Sequence, residues 1–357
     1  MSGITGMRWR VREIFHEQVG SGRWLRRFRS SAFFVATLTA LVLAAGCGSE
    51  AAVPSPQSEI RFGLALQPSS ALAIIAIEQD FFRDEGIVPE VETYVSGKRA
   101  LGGLLDGNAD VVTCAQAPLV FALFERHDLQ VICSVGSATD VDRVVARRDA
   151  GIEQPADLRG KRIATQRASA VHFFLHLFLA RNGIPERDVR LSYFDAERLA
   201  DALVAGEIDA FSMREPYVSQ ARSMLADNVV VFSEPGLFTR SDLVVVRGEL
   251  VRERPEIVVR MIRALLRAER FARAQSDEAL KMVSGSLGVS ESSMDLSWSR
   301  LRRHVGLEQS LLTSMEDQAR WAIDSGLVVA HDVPNYLDMF YLEGLNRVRP
   351  DAMTIIH

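Results

Sequence analysis

The sequence predicts an α/β protein of two lobes with a helical C-terminal extension. Three observations predict it. Between residues 60 and 232, short apolar runs of strand type alternate with helix-length runs, the pattern of sheets covered by helices on both faces. A local pattern occurs twice, LLDGNADVV at 104–112 and LVAGEIDAF at 203–211, each a helix end, a Gly turn, an acidic residue and a strand. After Pro255 the chain changes character and becomes helical.

Taken in order, residues 60–66 read as a strand, Gln67-Pro68-Ser69-Ser70 as a loop ending in an N-cap, and ALAIIAIEQDFFRDEG as a helix stopped at Gly86. A second strand at 89–94 leads through Ser96 and Gly97 into a helix ending near Leu105. Asp106-Gly107-Asn108 is turn chemistry before a buried strand at 111–114. Ala115-Gln116-Ala117-Pro118 starts the next helix, Pro being tolerated in a first turn, and 129–135 is a further strand.

A strand at 141–147 leads into Asp149-Ala150-Gly151, where the second lobe begins. Its centre is the stretch 157–217. A short strand at 161–165 ends in the polar loop Gln166-Arg167-Ala168-Ser169. Ser169 then caps a long apolar helix that stops at Asn182-Gly183. A polar loop feeding a helix N-terminus presents free N–H groups, which is where an α/β protein holds a small anion or polar ligand. Strands at 229–232 and 242–246 follow. The passages 141–147 and 242–246 read as crossings between lobes, and two such connections make a hinge beside a cleft.

The predicted organisation is a signal segment at 1–46, a tether at 47–59, a first lobe at 60–141 and 247–357 that carries the C-terminal helices, and a second lobe at 142–246 that includes the hinge strands. Those helices are EIVVRMIRALLRAERFARAQ, stretches near 277–286, 291–303 and 311–325, and a last one beginning near Val333-Pro334-Asn335-Tyr336. Arg on their outer faces reads as solvated surface.

With 357 residues and 48% hydrophobic content, the chain can build two ordinary cores. The charge is unevenly placed. The first 46 residues hold seven Arg and two Glu, a net of +5, so the remainder carries −10 against −5 for the whole. An acidic body argues against nucleic acid as a partner. Residues 23–29 are basic and 32–43 apolar, shorter than the ~20 residues of a spanning helix. Small residues then lead to Cys47 in LAAGCGSE, which resembles a bacterial lipoprotein signal with Cys47 as the lipidated residue. Ala44, three residues before Cys47, departs from that pattern, where a large aliphatic residue is usual. The small, Pro-bearing stretch GSEAAVPSPQS fits a flexible tether.

Cys114 and Cys133 sit in or beside apolar strands and read as buried thiols, with a disulfide left open. Neither a metal nor a cofactor is expected. His172 and His176 lie one helical turn apart, but no acidic or Cys partner stands in sequence register with them.

The order and spacing of EQDFFRDEGI, LLDGNADVVTCAQAP, ADLRGKRIATQRASAVHFFL, ALVAGEIDAFSMREPY and SDLVVVRGELVRERPE resemble the solute-binding proteins of ABC importers for aliphatic sulfonates, taurine and nitrate, a group that includes thiamine-precursor binders. The resemblance covers most of residues 60–275. It implies a type 2 periplasmic-binding fold whose two lobes close on a ligand. Carried over by position, the ligand lies against Gln67, Ser69 and Ser70, Ser96 and Gly97, Gln116 and Ala117, Thr165, Arg167, Ser169 and Ala170, and Met213, Glu215 and Tyr217. The Ser, Thr and Gln side chains supply donors at helix starts, Met213 and Tyr217 an apolar wall, and Arg167 a charge for an anion. Arg167 stands where the family has small residues, and Met213-Arg214 precedes Glu215-Pro216 where an aromatic residue is common. Both departures fall on ligand-selecting positions.

The resemblance implies an exported receptor without catalysis. It would trap a small polar or anionic solute, sulfonate-, taurine- or nitrate-like, and deliver it to permease and ATPase subunits. The N-terminal lipid would hold it to the outer face of the cytoplasmic membrane; a periplasmic location is the other expectation. Two alternatives stay open: a ligand sensor without transport, and an enzyme on the same fold of the thiamine-pyrimidine synthesis or lyase kind. Those enzymes are cytoplasmic, so the export signal argues against the second.

Overall fold

The computed structural model describes residues 57–125 and 128–356; the signal segment, Cys47 and most of the tether lie outside them. The first lobe starts with β1 (Ser58–Ala65), a short turn at Pro68–Ser70, α1 (Ala71–Glu78), α2 (Phe81–Asp84) and β2 (Ile87–Tyr94). It continues with α3 (Gly97–Leu105), β3 (Val111–Ala115), α4 (Gln116–Ala122) and β4 (Leu129–Ala138). The second lobe holds β5 (Arg143–Arg147), β6 (Arg162–Thr165), α5 (Ala170–Arg181), β7 (Arg190–Tyr193), α6 (Ala196–Val204), β8 (Ala210–Met213), α7 (Tyr217–Leu225) and β9 (Val229–Phe232). The chain then returns through β10 (Arg240–Arg247) to α8 (Gly248–Glu253), α9 (Pro255–Ala274), α10 (Ser276–Leu287), α11 (Glu291–Arg300), α12 (Gln309–Asp324) and α13 (Leu342–Asn346).

Each lobe is a five-stranded sheet, and the two sheets have the same plan. The orders are β2-β1-β3-β10-β4 and β7-β6-β8-β5-β9. In each, three parallel strands come from local β–α–β crossovers, and the fourth runs antiparallel because it arrives from the other lobe. Pro89 is tolerated in β2 because that strand is an edge and one of its faces needs no donor.

The duplicated sequence pattern has a duplicated job. Asp110 accepts from the backbone N–H and Nε of Arg61 at 3.1 Å each, and from its Nη2 at 2.6 Å. Asp209 makes the same three bonds to Arg162, at 2.9, 3.1 and 2.5 Å. In both sheets the carboxylate after the Gly turn clamps the central parallel strand. Gly107 and Gly206 hold positive φ, which allows the tight turn that delivers it.

Two sequence expectations change. The strand at 242–246 is not a crossing: β10 lies inside the first sheet between β3 and β4, buried along nearly its whole length. The second-lobe range 142–246 therefore includes a first-lobe strand. The strand beginning at 141 also sits wholly in one sheet from Arg143 on, so the crossings are 139–142 and 233–239. An apolar run reads alike whether it enters a sheet or leaves it.

At the C-terminus, α11 stops at Arg300, and 302–306 then runs along β4, with Ser134 N–H donating to Gly306 O at 2.8 Å and Ser137 N–H to Arg302 O at 2.9 Å. The expected last helix near Val333 is a 3-10 turn at Tyr336–Met339, where Asn335 caps the turn and α13 follows. Helix α12 spans both lobes. Leu311, Leu312 and Met315 join the first-lobe core; Trp321 and Ala322 join the second.

Cys114 and Cys133 are free, fully buried thiols. Their strands flank β10, with Cys114 opposite Leu243 and Cys133 opposite Val244. Two strand spacings of roughly 4.8 Å put the backbones beyond disulfide reach.

Candidate functional site

The carboxyl ends of β1, β3, β6 and β8 face the gap between the lobes, so the loops that leave them line it. Two helices start there with side-chain caps: Ser96 Oγ accepts from Arg99 N–H, and Ser169 Oγ from His172 N–H, at 3.4 Å each. Gly97 lets α3 approach β3 closely, since a Cβ there would sit 2.8 Å from Cys114 Cα and 2.9 Å from Ala115 N.

The cleft has an outer cavity of about 440 Å³ and an inner one of about 140 Å³. Lys98, Arg99, Arg167 and Arg214 border the outer cavity, against Asp195 and Glu197 as the opposing charges; Tyr193, Phe194, Tyr217 and Met213 supply its apolar wall. Lys98 reaches across its mouth from the first lobe, Nζ donating to Arg167 O in the second at 3.0 Å. The inner cavity is bordered by Gln67, Ser69, Arg143, Arg214, Glu215, Arg240, Asp242 and Arg300. A third, small hollow of about 20 Å³ lies against Ser96, Gly97, Ser169, Ala170, Arg214 and Arg240.

Arg214 borders all three spaces. Burial, followed by the charge of Arg240, pulls its pKa down to about 10, so it remains a cation at neutral pH. Beneath it lies a buried ionic floor. Arg240 Nη1 faces Asp142 Oδ1 at 3.5 Å and its Nε faces Asp242 Oδ2 at 3.9 Å. Gln67 donates its amide to Asp242 Oδ1. Burial pushes the Asp142 carboxyl up, against the pull of Arg240, Arg214 and Arg143. Asp140 pairs with Arg143 at 2.8 Å and with Arg300.

Of the residues expected from sequence, Gln67, Ser69 and Glu215 border the inner cavity, and Arg167, Met213 and Tyr217 the outer. Ser96 borders the outer cavity and the small hollow, while Gly97, Ser169 and Ala170 line the hollow. Four stand back in the interior. Gln116, fully buried, donates to Ser314 Oγ at 2.8 Å and accepts from Ser241 N–H at 2.9 Å, tying α4 to α12 and β10. Ala117 packs into the second-lobe core, Ser70 Oγ donates to Thr113 Oγ1, and Thr165 Oγ1 donates to Ser212 O. Arg167 is exposed, its guanidinium 5.8 Å from the Tyr193 ring centre.

Sequence reasoning flagged Arg214 only as a departure at a ligand-selecting position, gave its side chain no role, and missed Lys98, Arg240, Asp142 and Asp242 as site residues. One signal was available for Arg214: it follows the third parallel strand of its sheet as Gln116 follows the third of the first. The His pair does have an acidic partner, because the turn after α5 brings Glu186 back to His172 Nε2 at 3.4 Å and His176 Nδ1 at 3.1 Å. Among the described residues, no group of three or more His, Cys, Asp or Glu is arranged to hold a metal ion.

The family profile described as NMT1/THI5 like matches residues 67–279, more than half of the chain. The chain belongs to the NMT1/THI5-like family. A Bacillus subtilis relative with the provisional name aliphatic sulfonates-binding protein is 26% identical over 70% of this chain and 76% of its own. The architecture of this NMT1/THI5-like protein is that of solved periplasmic binding proteins. The alkanesulfonate-binding protein SsuA of Xanthomonas axonopodis pv. citri, bound to MOPS, superposes with a TM-score of 0.69 at 18% identity, over 80% of this chain and 99% of that one. The periplasmic aliphatic sulphonate binding protein SsuA of Escherichia coli gives 0.66 at 18% identity, over 80% and 96%. The fold also serves chemistry: the desulfurization enzyme DSZB gives 0.56 at 20% identity, over 82% and 100%. In the present chain both described cysteines lie in the first-lobe core, and burial raises their thiol pKa values far out of the reactive range.

Proposed function

We propose that this protein is the exported receptor of an ABC importer, which captures a small organic anion between its lobes and hands it to permease and ATPase subunits. The observation that carries the reading is Arg214: a partly buried cation at the meeting point of three interlobe cavities, with Lys98, Arg99 and Arg167 beyond it. Cations gathered at helix starts in a cleft between hinged lobes provide charge-assisted bonds to an anion and exclude water when the lobes close. The family and the names of its sulfonate-binding relatives support an alkanesulfonate-like solute. The signal ending at Cys47 supports export with a lipid tether to the outer face of the cytoplasmic membrane.

A thermal-shift screen with alkanesulfonates, nitrate, pyrimidines and amino acids tests this. A melting temperature that rises with alkanesulfonate concentration is the expected result, since a ligand that binds only the folded state stabilises it. A rise with pyrimidines alone would replace the anion by an aromatic solute stacked on Tyr217 and Tyr193. Mass spectrometry of the mature protein checks the tether: a diacylglyceryl Cys47 is expected, and an unmodified N-terminus would remove it.

A further inference from the structure

We infer that His172 positions the solute-binding loop 166–169, through a line of hydrogen bonds that runs from Glu186 to its imidazole and on to the backbone N–H of Ala168. The effect on solute rests on the anion-capture reading above; the tie itself does not.

The loop walls two of the interlobe spaces. Gln166 borders the outer cavity and the small hollow, and Ser169 lines the hollow where α5 begins. Its shape is not one that the backbone adopts unaided. Ala168 has a φ of 55°, in the left-handed region that a Cβ disfavours. Such a residue persists only where its surroundings hold it. On one side Ser169 Oγ donates to Gln166 O at 2.6 Å. On the other, Ala168 N–H donates to His172 Nδ1 at 3.4 Å, from within the first turn of the helix.

That bond fixes the imidazole. A backbone N–H only donates, so Nδ1 is the acceptor and the ring proton sits on Nε2. Nε2 faces Glu186 Oε1 at 3.4 Å, and the other oxygen of Glu186 faces His176 Nδ1 at 3.1 Å. Burial alone would push the Glu186 carboxyl up, but the two imidazoles hold its pKa down to about 2, so it stays an acceptor. The His172 ring is fully buried and meets Tyr193 and Trp321 edge to face, with ring centres 5.2 and 4.8 Å away. His172 is thus bonded at both nitrogens and wedged between two aromatic rings. It lines none of the three spaces itself, so it reaches a solute through the loop.

Two variants separate positioning from packing. His172→Phe keeps a ring against Tyr193 and Trp321 and removes both nitrogens. His172→Asn gives up the ring and keeps, in its amide oxygen, an acceptor near the place of Nδ1. In isothermal titration of propanesulfonate into the full-length protein, His172→Phe is expected to bind at least tenfold more weakly than wild type, and His172→Asn within threefold of it. Wild-type affinity in His172→Phe, or weaker binding in His172→Asn than in His172→Phe, would overturn the positioning role. Nitrogen NMR of the wild-type imidazole reads the tie without solute or variant. A proton on Nε2 alone is expected, and one on Nδ1 would overturn the tie even where neither variant folds. Failure of the wild type to bind propanesulfonate would overturn anion capture, and the imidazole spectrum would still decide the tie.

Discussion

Arg214 borders more of the interlobe cavities than any residue carried over from the sequence as a ligand contact. It borders three of them, whereas Arg167 lies exposed at the rim beside Tyr193. Titration of propanesulfonate into Arg214→Gln is expected to show affinity reduced by more than tenfold, the scale of a charge-assisted bond worth roughly 1.5–3 kcal/mol. Arg167→Gln should change it by less than about threefold, because a solvated rim charge contributes under ~1 kcal/mol. The reverse ranking would move the anion to the mouth. The caps Ser96 and Ser169 were legible because their role is local: a polar residue before an apolar helix has one economical use. Arg240 and Asp242 were not. Each lies at the start of an apolar strand, where a charge reads as surface, and only the second lobe folding over them makes them interior.

At the scale of elements, the helical extension is fastened by one carboxylate. Glu269 of α9, 3% exposed, accepts from Arg349 at 2.6 Å, Arg273 at 2.8 Å and Val305 N–H at 2.9 Å, with His304 Nδ1 at 3.4 Å. Burial alone would push its carboxyl up, but these bonds and the charge of Arg349 hold its pKa at about 2, below the usual 4.5. A carboxylate depressed on folding contributes stability that is complete above its unfolded pKa and disappears as pH falls through its folded pKa. Urea unfolding should therefore show wild type more stable than Glu269→Gln by about 3 kcal/mol at pH 7, with the gap closing between pH 4.5 and 2. A gap independent of pH in that window would show that Glu269 acts through packing alone. The paired clamps of Asp110 and Asp209 were half legible. The repeated Gly turn and acidic residue stood in the sequence, but the Arg partners lie 49 and 47 residues away, and only sheet pairing brings them in. The place of β10 escaped for the same reason, since strand order is a long-range property.

For the whole molecule, two sheets of one plan face each other across a cleft that Lys98 bridges at its mouth. Burial, then the neighbouring charge of Arg167, lowers the Lys98 pKa, consistent with an ammonium held between the lobes. Removing that contact in Lys98→Met should speed solute dissociation about three- to tenfold while association changes little, because closure contacts act mainly on the off-rate. Stopped-flow kinetics checks this, and an unchanged off-rate would make the contact incidental to closure. The two-lobed α/β class was legible from the alternation of strand and helix and from the repeated pattern. The charge arrangement of the cleft was not, since it arises where residues from opposite lobes meet.

A crystal structure grown with propanesulfonate tests the central claim most directly. The account predicts the sulfonate between the lobes, its oxygens within 3.2 Å of the Arg214 guanidinium, a hydrogen-bond distance of about 2.7–3.2 Å. A sulfonate seated outside the cleft, or inside it but away from Arg214, would contradict it.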